Sequence, residues 1–590
     1  MSALPHTGSP WDPVSTFDEF PSPFDCSDEL PAALVELRIR WFAGAIREKP
    51  EWWNKVFNQA ITDKWRDEIL EQDAATVDKF WAGDERYRKA VKKQWPRDKI
   101  TKAQLDYLFD ELQYLASQRI PETGIQSTAI PSVFQSNSLI SSELRDQLRD
   151  AVSHLENIPP EKLDWHPGSN GQVLDLVHPS LYCYRIGQSL SRGLPVGSDT
   201  PLQILSPAEY ASQYQFLSRR VMSMCSEQHQ WLPTDFDVSP DGTVRPVSYI
   251  HNVHPIEQRA LYATLCAVLA RFVPLFEDVL TAVLHDPDRK PIVDVDPYKW
   301  YDRAEDLRPP EPDWDDDLES DSDPDSEPYA AKVEEWEQKT RWPEVPDPAP
   351  FVPPNLPADD KWVRLGGTRI QVVVKLANIV LTPEKPRYEG GTWHVEGMAN
   401  ERIVATGIYY YQSENVAESK LAFRQSLGGE NRGVSWPYEQ SDYRGYAVVF
   451  GVYQQLNQVL GDVPTSEGKC LAFPNIYQHC VQPFELVDKT RPGVRKILAF
   501  FLVDPTERVL GTGTVPPLQK EWYLDEVKQI PRMQTLPQEL WDYVMDMALE
   551  GTMSREEAEE ERKKLMEERG SSVETLNYEL FQRDFNMCEH

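Results

Sequence analysis

Two side chains that can bind a metal ion stand two positions apart in the segment GGTWHVEGMANERIVATGIYYYQ, and they are His394 and Glu396. On a β-strand, residues i and i+2 project from the same face, so an imidazole and a carboxylate at this spacing can converge on one cation. The spacing alone is a weak signal, because a hydrogen-bonded His–Glu pair at a strand edge has the same pattern. The pair therefore predicts a metal site only if further ligands join it.

A third candidate ligand, His479, lies in the segment FPNIYQHCVQPFELVDKTRPGVRKILAFFLVDP, after a strand-like run that ends in Phe-Pro. Arg495 begins the next β-like run, where it shares one face with four apolar residues, Ile497, Ala499, Phe501 and Val503. A buried guanidinium needs an anionic partner. Arg491 competes for this role, but the Pro-Gly pair after it predicts a turn, so we prefer Arg495 as the anion anchor.

Two histidines and one carboxylate form a facial ligand set that leaves coordination positions open and suits non-haem Fe(II). A 2-oxo acid can occupy two open positions through its carboxylate and keto oxygens, and dioxygen can take a third. Arg495 would then bind the far carboxylate of 2-oxoglutarate through two parallel donors. We therefore predict His394, Glu396 and His479 as metal ligands and catalytic residues, and Arg495 as the cosubstrate anchor.

This order of residues resembles the Fe(II)/2-oxoglutarate-dependent oxygenases, whose jelly-roll core carries HxD/E, a distal His and a basic residue on the strand after it. Glu396 stands where Asp is commoner in those enzymes. The chain as a whole, apart from an acidic linker, is similar to a fungal family known as domain of unknown function 4246. The similarity rests on LRIRWFAGAIREKPEW, LVHPSLYCYRIG, WLPTDFDV, SYIHNVHP, WHVEGMANERIVATGIYYY, FPNIYQHCVQPFELVD, RKILAFFLVDP and FNMCEH.

The resemblance implies an α+β fold with a double-stranded β-helix (jelly-roll) core between helical N-terminal and C-terminal regions. Five runs rich in Val, Ile, Phe and Tyr predict strands, namely RIQVVVKLANIVL, RIVATGIYYYQ, YAVVFGVY, GKCLAFP and RKILAFFLVDP. The long polar stretch 412–446 interrupts these strands, and we expect it to be a lid or substrate loop.

Shifts in composition along the chain predict its division into regions. We expect a flexible tail at 1–30, a helical region at 31–165, a mixed α/β region at 166–290 that packs on the core or adds strands to it, an acidic Pro-rich linker at 291–358, the jelly-roll core at 359–520 and a helical region at 521–590.

Other polar residues have weaker claims to a functional role. Tyr249 and Asn252, in SYIHNVHP, could contact the cosubstrate from a neighbouring strand. His251 and His254 form an HxxH pattern, but the proline that follows predicts a loop, and we expect both to be structural. His178 in VHPSLY is likewise expected to be a structural histidine.

The composition argues against several classes of protein. Among 590 residues, 61 Lys and Arg face 95 Asp and Glu, and the net charge of −34 argues against binding to nucleic acid or an anionic membrane. Seven cysteines without a CxxC pair predict neither a disulfide framework nor a thiolate zinc cluster. Because no secretion signal or membrane-spanning run is recognisable, we expect a cytoplasmic protein.

The sequence thus predicts an Fe(II)- and 2-oxoglutarate-dependent oxygenase that hydroxylates, or otherwise oxidises, a small molecule or peptide with dioxygen. Two alternatives stay open at this point: a non-catalytic jelly-roll binding or scaffold protein, and a cupin-like metalloenzyme that uses no oxo acid. The sequence does not distinguish between substrates and leaves the oligomeric state open.

Overall fold

The computed structural model describes residues 20–25, 29–83, 99–194, 200–213, 221, 223–285, 291–301, 331–333, 335–336, 343–428, 434, 436–440, 442–452 and 455–587. The acidic run 311–327 lies outside the described residues. The helices are α1 (Leu34–Arg47), α2 (Trp52–Lys55), α3 (Gln59–Gly83), α4 (Lys102–Gln118), α5 (Ser142–Glu156), α6 (Pro207–Ser212), α7 (Arg259–His285), α8 (Tyr443–Phe450), α9 (Lys520–Lys528), α10 (Gln538–Ala548) and α11 (Arg555–Leu576). In the part of the chain that the structure describes, no helix combines the length and apolar character needed to cross a membrane.

The strands include many short ones and several long ones. They are β1 (Gln126–Ser127), β2 (Phe134–Ser136), β3 (Val173–Val177), β4 (Tyr184–Arg185), β5 (Leu190–Ser191), β6 (Gln203–Ile204), β7 (His229–Gln230), β8 (Thr234–Val238), β9 (Val244–Pro246), β10 (Arg369–Leu381), β11 (Arg387–Tyr388), β12 (Ile403–Glu414), β13 (Lys420–Ser426), β14 (Asn457–Pro464), β15 (Cys470–Pro474), β16 (Gln478–Val481), β17 (Phe484–Glu485) and β18 (Gly493–Val503).

Local capping sets where several helices begin. The Thr101 hydroxyl accepts the backbone N–H of Gln104, whose side chain returns a bond to Thr101, and Ser554 with Glu557 forms the same box before α11. The hydroxyl of Ser141 accepts the N–H of Leu144 at 3.2 Å and so begins α5. Each cap satisfies backbone donors that the first helical turn leaves free.

A large antiparallel sheet forms the centre of the fold, which is therefore α+β as expected. Its order is β1-β2-β15-β12-β18-β10-β8-β9, and β3 also pairs with β10. The strands β10, β12 and β18 are long and rich in β-branched and aromatic residues, which favour strands. Residues 173–177 and 234–238, far earlier in the chain, both extend the sheet along one edge of β10.

One face of this sheet packs against α7 and α5. The buried cluster there contains Val372, Val374 and Leu376 of β10, Leu498, Phe500 and Leu502 of β18, and Leu265, Leu269, Phe272 and Phe276 of α7. At Gly407 of β12 the helix approaches closely, because an added Cβ would lie 2.6 Å from Cδ1 of Phe272. We refer to this side of the sheet as the outer face.

The opposite, inner face packs against a second sheet of order β14-β13-β16. The shared buried cluster joins Val373, Ile408, Tyr410, Ala499 and Phe501 of the large sheet to Leu421, Phe423, Leu460 and Val463 of the small one. Leu565 of α11 belongs to the same cluster and is fully buried. The space between the two sheets is where the predicted ligands lie.

Three expectations from the sequence are wrong in detail. The run YAVVFGVY contributes helix α8 rather than a strand, with Asp442 capping its start and Gly451 ending it at a φ of 70°. The stretch 412–446 contains β13, so it is part of the small sheet and not simply a loop. The region taken as a linker contributes Ile292, Val293, Trp300 and Tyr301 to a buried cluster with the N-terminal helices.

Candidate metal centre

His394 and His479 come together as partners on two antiparallel segments. The backbone N–H of His479 donates to the carbonyl of His394 at 3.0 Å, and the N–H of His394 donates back at 3.2 Å. On the other side of β16, His479 pairs with Phe423 of β13. This bridge places two histidines from distant parts of the sequence side by side, with ring centroids 4.4 Å apart.

Glu396 is held by Asn475, a residue that the sequence analysis missed. The Asn475 side chain accepts the backbone N–H of Glu396 at 2.8 Å and donates to the carbonyl oxygens of Glu396 and Ile403, both at 2.9 Å. Asn475 is buried directly after β15. The sequence feature that could have revealed Asn475 is its position as a polar residue directly after the predicted strand GKCLAFP. Through Asn475, the end of β15 positions the backbone of Glu396.

The three candidate ligands face one another at separations that fit a shared ion. Nε2 of His479 lies 3.3 Å from Oε1 of Glu396, and Nε2 of His394 lies 3.8 Å from the same oxygen. All three donor atoms lie within 4.8 Å of one another. Two ligands about 2.1 Å from one ion, at roughly 90–130°, are about 3.0–3.8 Å apart. The cluster can therefore hold one divalent cation from one side and leave its other positions free.

The electrostatics keep two of these groups in their ligand forms. Burial opposes the charge on Glu396, but the hydrogen bond with His479 and the nearby histidines lower its pKa to about 2. Desolvation, followed by the proximity of His479, lowers the pKa of His394 to about 4. Nδ1 of His394 lies 2.8 Å from the carbonyl oxygen of Thr392, which assigns the proton to Nδ1 and leaves a lone pair on Nε2.

The site is open on one side only. The side chain of His394 is 35% exposed, against 13% for Glu396 and 4% for His479. The ring of Phe473 covers His479 at 4.9 Å between centroids, and Nδ1 of His479 has no hydrogen-bond partner among the described residues. A ligand would therefore reach the ion past His394.

Arg495 is buried on the inner face of β18, with 1% of its surface exposed. One nitrogen, Nη2, donates to the Thr465 hydroxyl at 2.8 Å, while Nε and Nη1 have no hydrogen-bond partner among the described residues. The rings of Tyr410 and Phe484 lie 4.6 Å and 5.4 Å from the guanidinium. Burial lowers the pKa of Arg495. A guanidinium in this state can accept an anion as its missing partner.

Arg491, the competing anchor, lies outside this site. It is exposed and pairs with Asp488 three residues before it at 2.8 Å. Its position on the turn before β18 agrees with the preference for Arg495.

Lys375 is a second inward cation, and the sequence analysis did not identify it. Its neighbours Val374 and Leu376 belong to the outer cluster, whereas Val373 and Ala499, the cross-strand partner of Lys375, belong to the inner one. Because strand side chains alternate, Lys375 points inward. Its charge lowers the pKa values of both His394 and Glu396. A lone lysine within the apolar run RIQVVVKLANIVL was the signal that could have revealed it.

Tyr249 and Asn252, which we expect to contact the cosubstrate, bond to other parts of the chain in this structure. The Tyr249 hydroxyl donates to the carbonyl of Pro516 at 3.2 Å. The Asn252 amide donates to the carbonyls of His178 and Leu181 and accepts from Gln519. These bonds tie the segment to other parts of the protein, and the cosubstrate role of both residues stays a prediction.

Three other histidines were singled out in the sequence, and they have two kinds of surroundings. His251 is buried and binds the Leu181 carbonyl at 3.0 Å, and His254 packs edge-on against the ring of Trp522. His178, expected to be a structural histidine, lies with His166 and Asp175 in a second cluster whose donor atoms are within 4.8 Å of one another.

Comparisons with known proteins give a family and only weak structural likenesses. A family model described as "Protein of unknown function (DUF4246)" matches residues 102–526, and one described as "Domain of unknown function DUF4246, N-terminal" matches residues 3–68. No curated protein sequence matches the chain.

Among the similar solved structures, two carry names of oxygenases and a third is named IDO. The "Fe(II)/(alpha)ketoglutarate-dependent dioxygenase TqaL" is 12% identical, with 47% of this chain and 67% of that chain covered and a TM-score of 0.20. The "Non-heme monooxygenase, ThoJ-Ni complex" is 12% identical over 35% of this chain and 67% of that one, at a TM-score of 0.15. IDO from Bacillus thuringiensis is 12% identical over 23% of this chain and 45% of that chain, at a TM-score of 0.14. Likenesses at these TM-scores carry no argument about function.

Proposed function

Since this chain belongs to the DUF4246 family, whose model matches residues 102–526, we propose its function from the site itself: an Fe(II)- and 2-oxoglutarate-dependent oxygenase. One observation carries the proposal, namely that a convergent His394–Glu396–His479 set and the buried, under-paired guanidinium of Arg495 lie in one two-sheet core. A metal site without an oxo acid has no need of such a cation.

The donor set is the first support for iron. Two neutral imidazoles and one carboxylate on one side of an ion are the ligands typical of non-haem Fe(II) oxygenases, which need open positions for cosubstrate and dioxygen. When bound, the iron supplies the activation of dioxygen. His394, Glu396 and His479 hold and orient it, and the burial of Glu396 and His479 excludes water from one side.

Arg495 supports 2-oxoglutarate as the cosubstrate. Its Nε and Nη1 are unpaired and can each donate to an anion, and the rings of Tyr410 and Phe484 enclose the same space. The overall reaction is R–H plus O2 plus 2-oxoglutarate to R–OH plus succinate plus CO2. One oxygen atom enters the substrate and the other enters succinate.

The strand order supports a double-stranded β-helix, or jelly-roll, core. From β10 onward the chain moves between the sheets: β10, β12, β15 and β18 lie in the large sheet, and β13, β14 and β16 lie in the small one. The His394 segment adds to the small sheet through its bridge to β16. This alternation is how a jelly-roll is built from two facing sheets.

The decisive test is an anaerobic titration of the purified protein with Fe(II) and 2-oxoglutarate. We expect a weak visible charge-transfer band that saturates at one iron per chain, and succinate release when air is admitted. A band that forms with Fe(II) but does not respond to 2-oxoglutarate would favour the cupin-like alternative. No iron binding at all would favour a non-catalytic scaffold.

A further inference from the structure

The two residues directly before the histidine ligands face away from the candidate ion. His394 and His479 pair with each other across two antiparallel segments. Because side chains alternate along extended backbone, Trp393 and Gln478, one position earlier in each segment, project from the opposite side of the small sheet. We refer to this side of the small sheet as the back face.

Arg424 of β13 lies on the back face. β13 pairs with β16 so that Phe423 lies opposite His479 and Arg424 lies opposite Gln478. Phe423 belongs to the cluster between the two sheets, so its neighbour Arg424 points the other way. Arg424 is nevertheless buried, with 6% of its surface exposed. A buried guanidinium must have partners, and these identify what it holds in place.

The partners of Arg424 include both residues that precede the histidines. Its Nε donates to Oε1 of Gln478 at 2.7 Å. Its guanidinium also lies 4.9 Å from the centroid of the Trp393 ring. One side chain therefore connects the two segments that supply His394 and His479, from the side that faces away from the ligand atoms.

A single helical turn at the end of α11, residues Asn577–Phe581, covers Arg424 on the back face. Oδ1 of Asn577 accepts Nη2 of Arg424 at 3.1 Å and Nε2 of Gln478 at 2.9 Å. The centroid of the Phe581 ring lies 5.5 Å from the guanidinium. Two hydrogen-bond acceptors and two aromatic rings fix the orientation of a planar guanidinium, which an ammonium group could not match.

Helix α11 also holds the segment that follows Glu396. Arg569 of α11 forms an ion pair with Glu401, whose side chain is 2% exposed. The carboxylate of Glu401 accepts the backbone N–H of Met398 at 2.6 Å and that of Trp231 at 2.7 Å. The C-terminal helix and its final turn therefore contact both of the segments that carry candidate ligands.

The pairing of these two segments is short, and this makes its support from behind important. The His394 segment joins β16 at an isolated bridge, and β16 itself spans only Gln478–Val481. Short two-stranded pairings are marginally stable by themselves. Metal affinity depends on ligands being held at the separations that the ion requires, and groups behind the ligands provide this.

We propose that Arg424 is a positioning residue of the metal centre on which the proposed function rests, and that Asn577 anchors it to the C-terminal helix. By holding Trp393 and Gln478 together, Arg424 keeps the two histidines at the spacing that binds an ion. As a positive charge alone, Arg424 would repel a dication, so its removal would strengthen metal binding. As a positioning residue, its removal weakens metal binding. The direction of the change distinguishes the two roles.

The first test measures the affinity of the full-length protein for Fe(II), by anaerobic competition with a chelator. We expect Arg424→Met to bind Fe(II) about 10- to 100-fold more weakly than the wild type. Arg424→Lys keeps the charge but not the planar fork, so it should not restore the affinity. Arg149→Met is the matched control, because that partly buried arginine of α5 bonds the Tyr411 carbonyl and Glu467, and it should bind iron as the wild type does.

Variants of Asn577 extend this test to the C-terminal turn. Asn577→Ala removes the acceptor that Arg424 and Gln478 share and should weaken Fe(II) binding in the same direction. The double variant should bind no more weakly than Arg424→Met alone, since both changes interrupt one network. If Arg424→Met does not fold, the milder Asn577→Ala variant carries the test.

The second readout needs neither metal nor turnover. Amide hydrogen exchange in the metal-free protein, followed in peptides that cover 391–397 and 476–482, reports on opening of the bridge. We expect faster exchange in both peptides for Arg424→Met and unchanged exchange for Arg149→Met.

Several results would overturn the proposal. They are unchanged or tighter Fe(II) binding by Arg424→Met, unchanged exchange at the bridge, or a lower melting temperature with the iron affinity intact. Failure of the proposed function has a different signature. A wild-type protein that binds Fe(II) but does not respond to 2-oxoglutarate would refute the oxygenase and leave the role of Arg424 standing, whereas a wild-type protein that binds no Fe(II) would refute both.

Discussion

The guanidinium of Arg495 lies 4.6 Å from the centroid of the Tyr410 ring, while its Nε and Nη1 have no acceptor among the described residues. The ring face offsets part of the cost of burying the charge, by up to ~2 kcal/mol in a desolvated setting. It does not replace the missing hydrogen bonds. The arrangement leaves a buried cation with unused donors on the inner face of β18.

Replacing Arg495 by Met should weaken 2-oxoglutarate binding roughly 100-fold, because a charge-assisted pair contributes ~3 kcal/mol. The iron content should not change. Removal of a buried, unpaired charge should leave the melting temperature of the metal-free protein unchanged or higher. Charge-transfer titration measures the first effect, and Arg491→Met, at an exposed arginine paired with Asp488, is the control.

His479→Ala should abolish stoichiometric iron binding, since it removes the most buried of the three donors. The measurement is iron per chain after anaerobic loading and desalting. His154→Ala on α5 removes an exposed histidine and should retain full iron content. Equal iron in both variants would exclude His479 as a ligand.

Asn475→Ala should lower the affinity for iron about 10- to 100-fold without touching a ligand atom, because groups that orient a ligand have effects of this size. The variant loses one bond to the N–H of Glu396 and two to carbonyl oxygens. We also expect a loss of about 2–3 kcal/mol in the free energy of unfolding. A less stable variant with unchanged iron affinity would show that Asn475 supports only the fold.

His251 should make the stability of the protein depend on pH. Burial lowers the pKa of His251 to about 4 from its ordinary value of 6.5. Because the unfolded chain binds this proton more readily, the stabilising contribution is complete above about pH 6.5 and is lost as the pH falls toward 4. The whole effect is about 3 kcal/mol. Denaturant unfolding at pH 7 and pH 5 should show a smaller difference for His251→Gln than for the wild type.

Two substitutions of glycine by alanine should change the free energy of unfolding in opposite directions. Gly407→Ala places a methyl group 2.6 Å from the ring of Phe272 and should destabilise the protein by about 1–3 kcal/mol. Gly570→Ala, inside α11 and with open space around it, should stabilise by up to ~1 kcal/mol. Denaturant unfolding measures both, and equal effects would contradict the close contact between α7 and the sheet.

Some elements were predictable because their residues carry a local signal. The strands β10, β12, β15 and β18 are continuous apolar runs, and they were predicted as strands. The run YAVVFGVY is equally apolar, but it contributes to α8. The hydrophobic pattern of a short buried strand cannot be distinguished from that of a short buried helix, so the assignment from the sequence was wrong here. Strand β13 was missed because Arg424, Gln425 and Ser426 read as surface residues, yet all three are buried.

The sequence by itself determined the types of the chemical groups: two histidines and a glutamate with metal-ligand character, and an arginine on a strand face. Only the tertiary structure decided that the donor atoms of the two histidines and the glutamate converge within 4.8 Å of one another, and that Asn475 holds the backbone of the glutamate. The physical reason is that side-chain alternation is local, whereas the pairing of β16 with the His394 segment, and of β3 with β10, joins residues far apart in the chain. Such pairings depend on the packing of both sheets, which no single segment specifies.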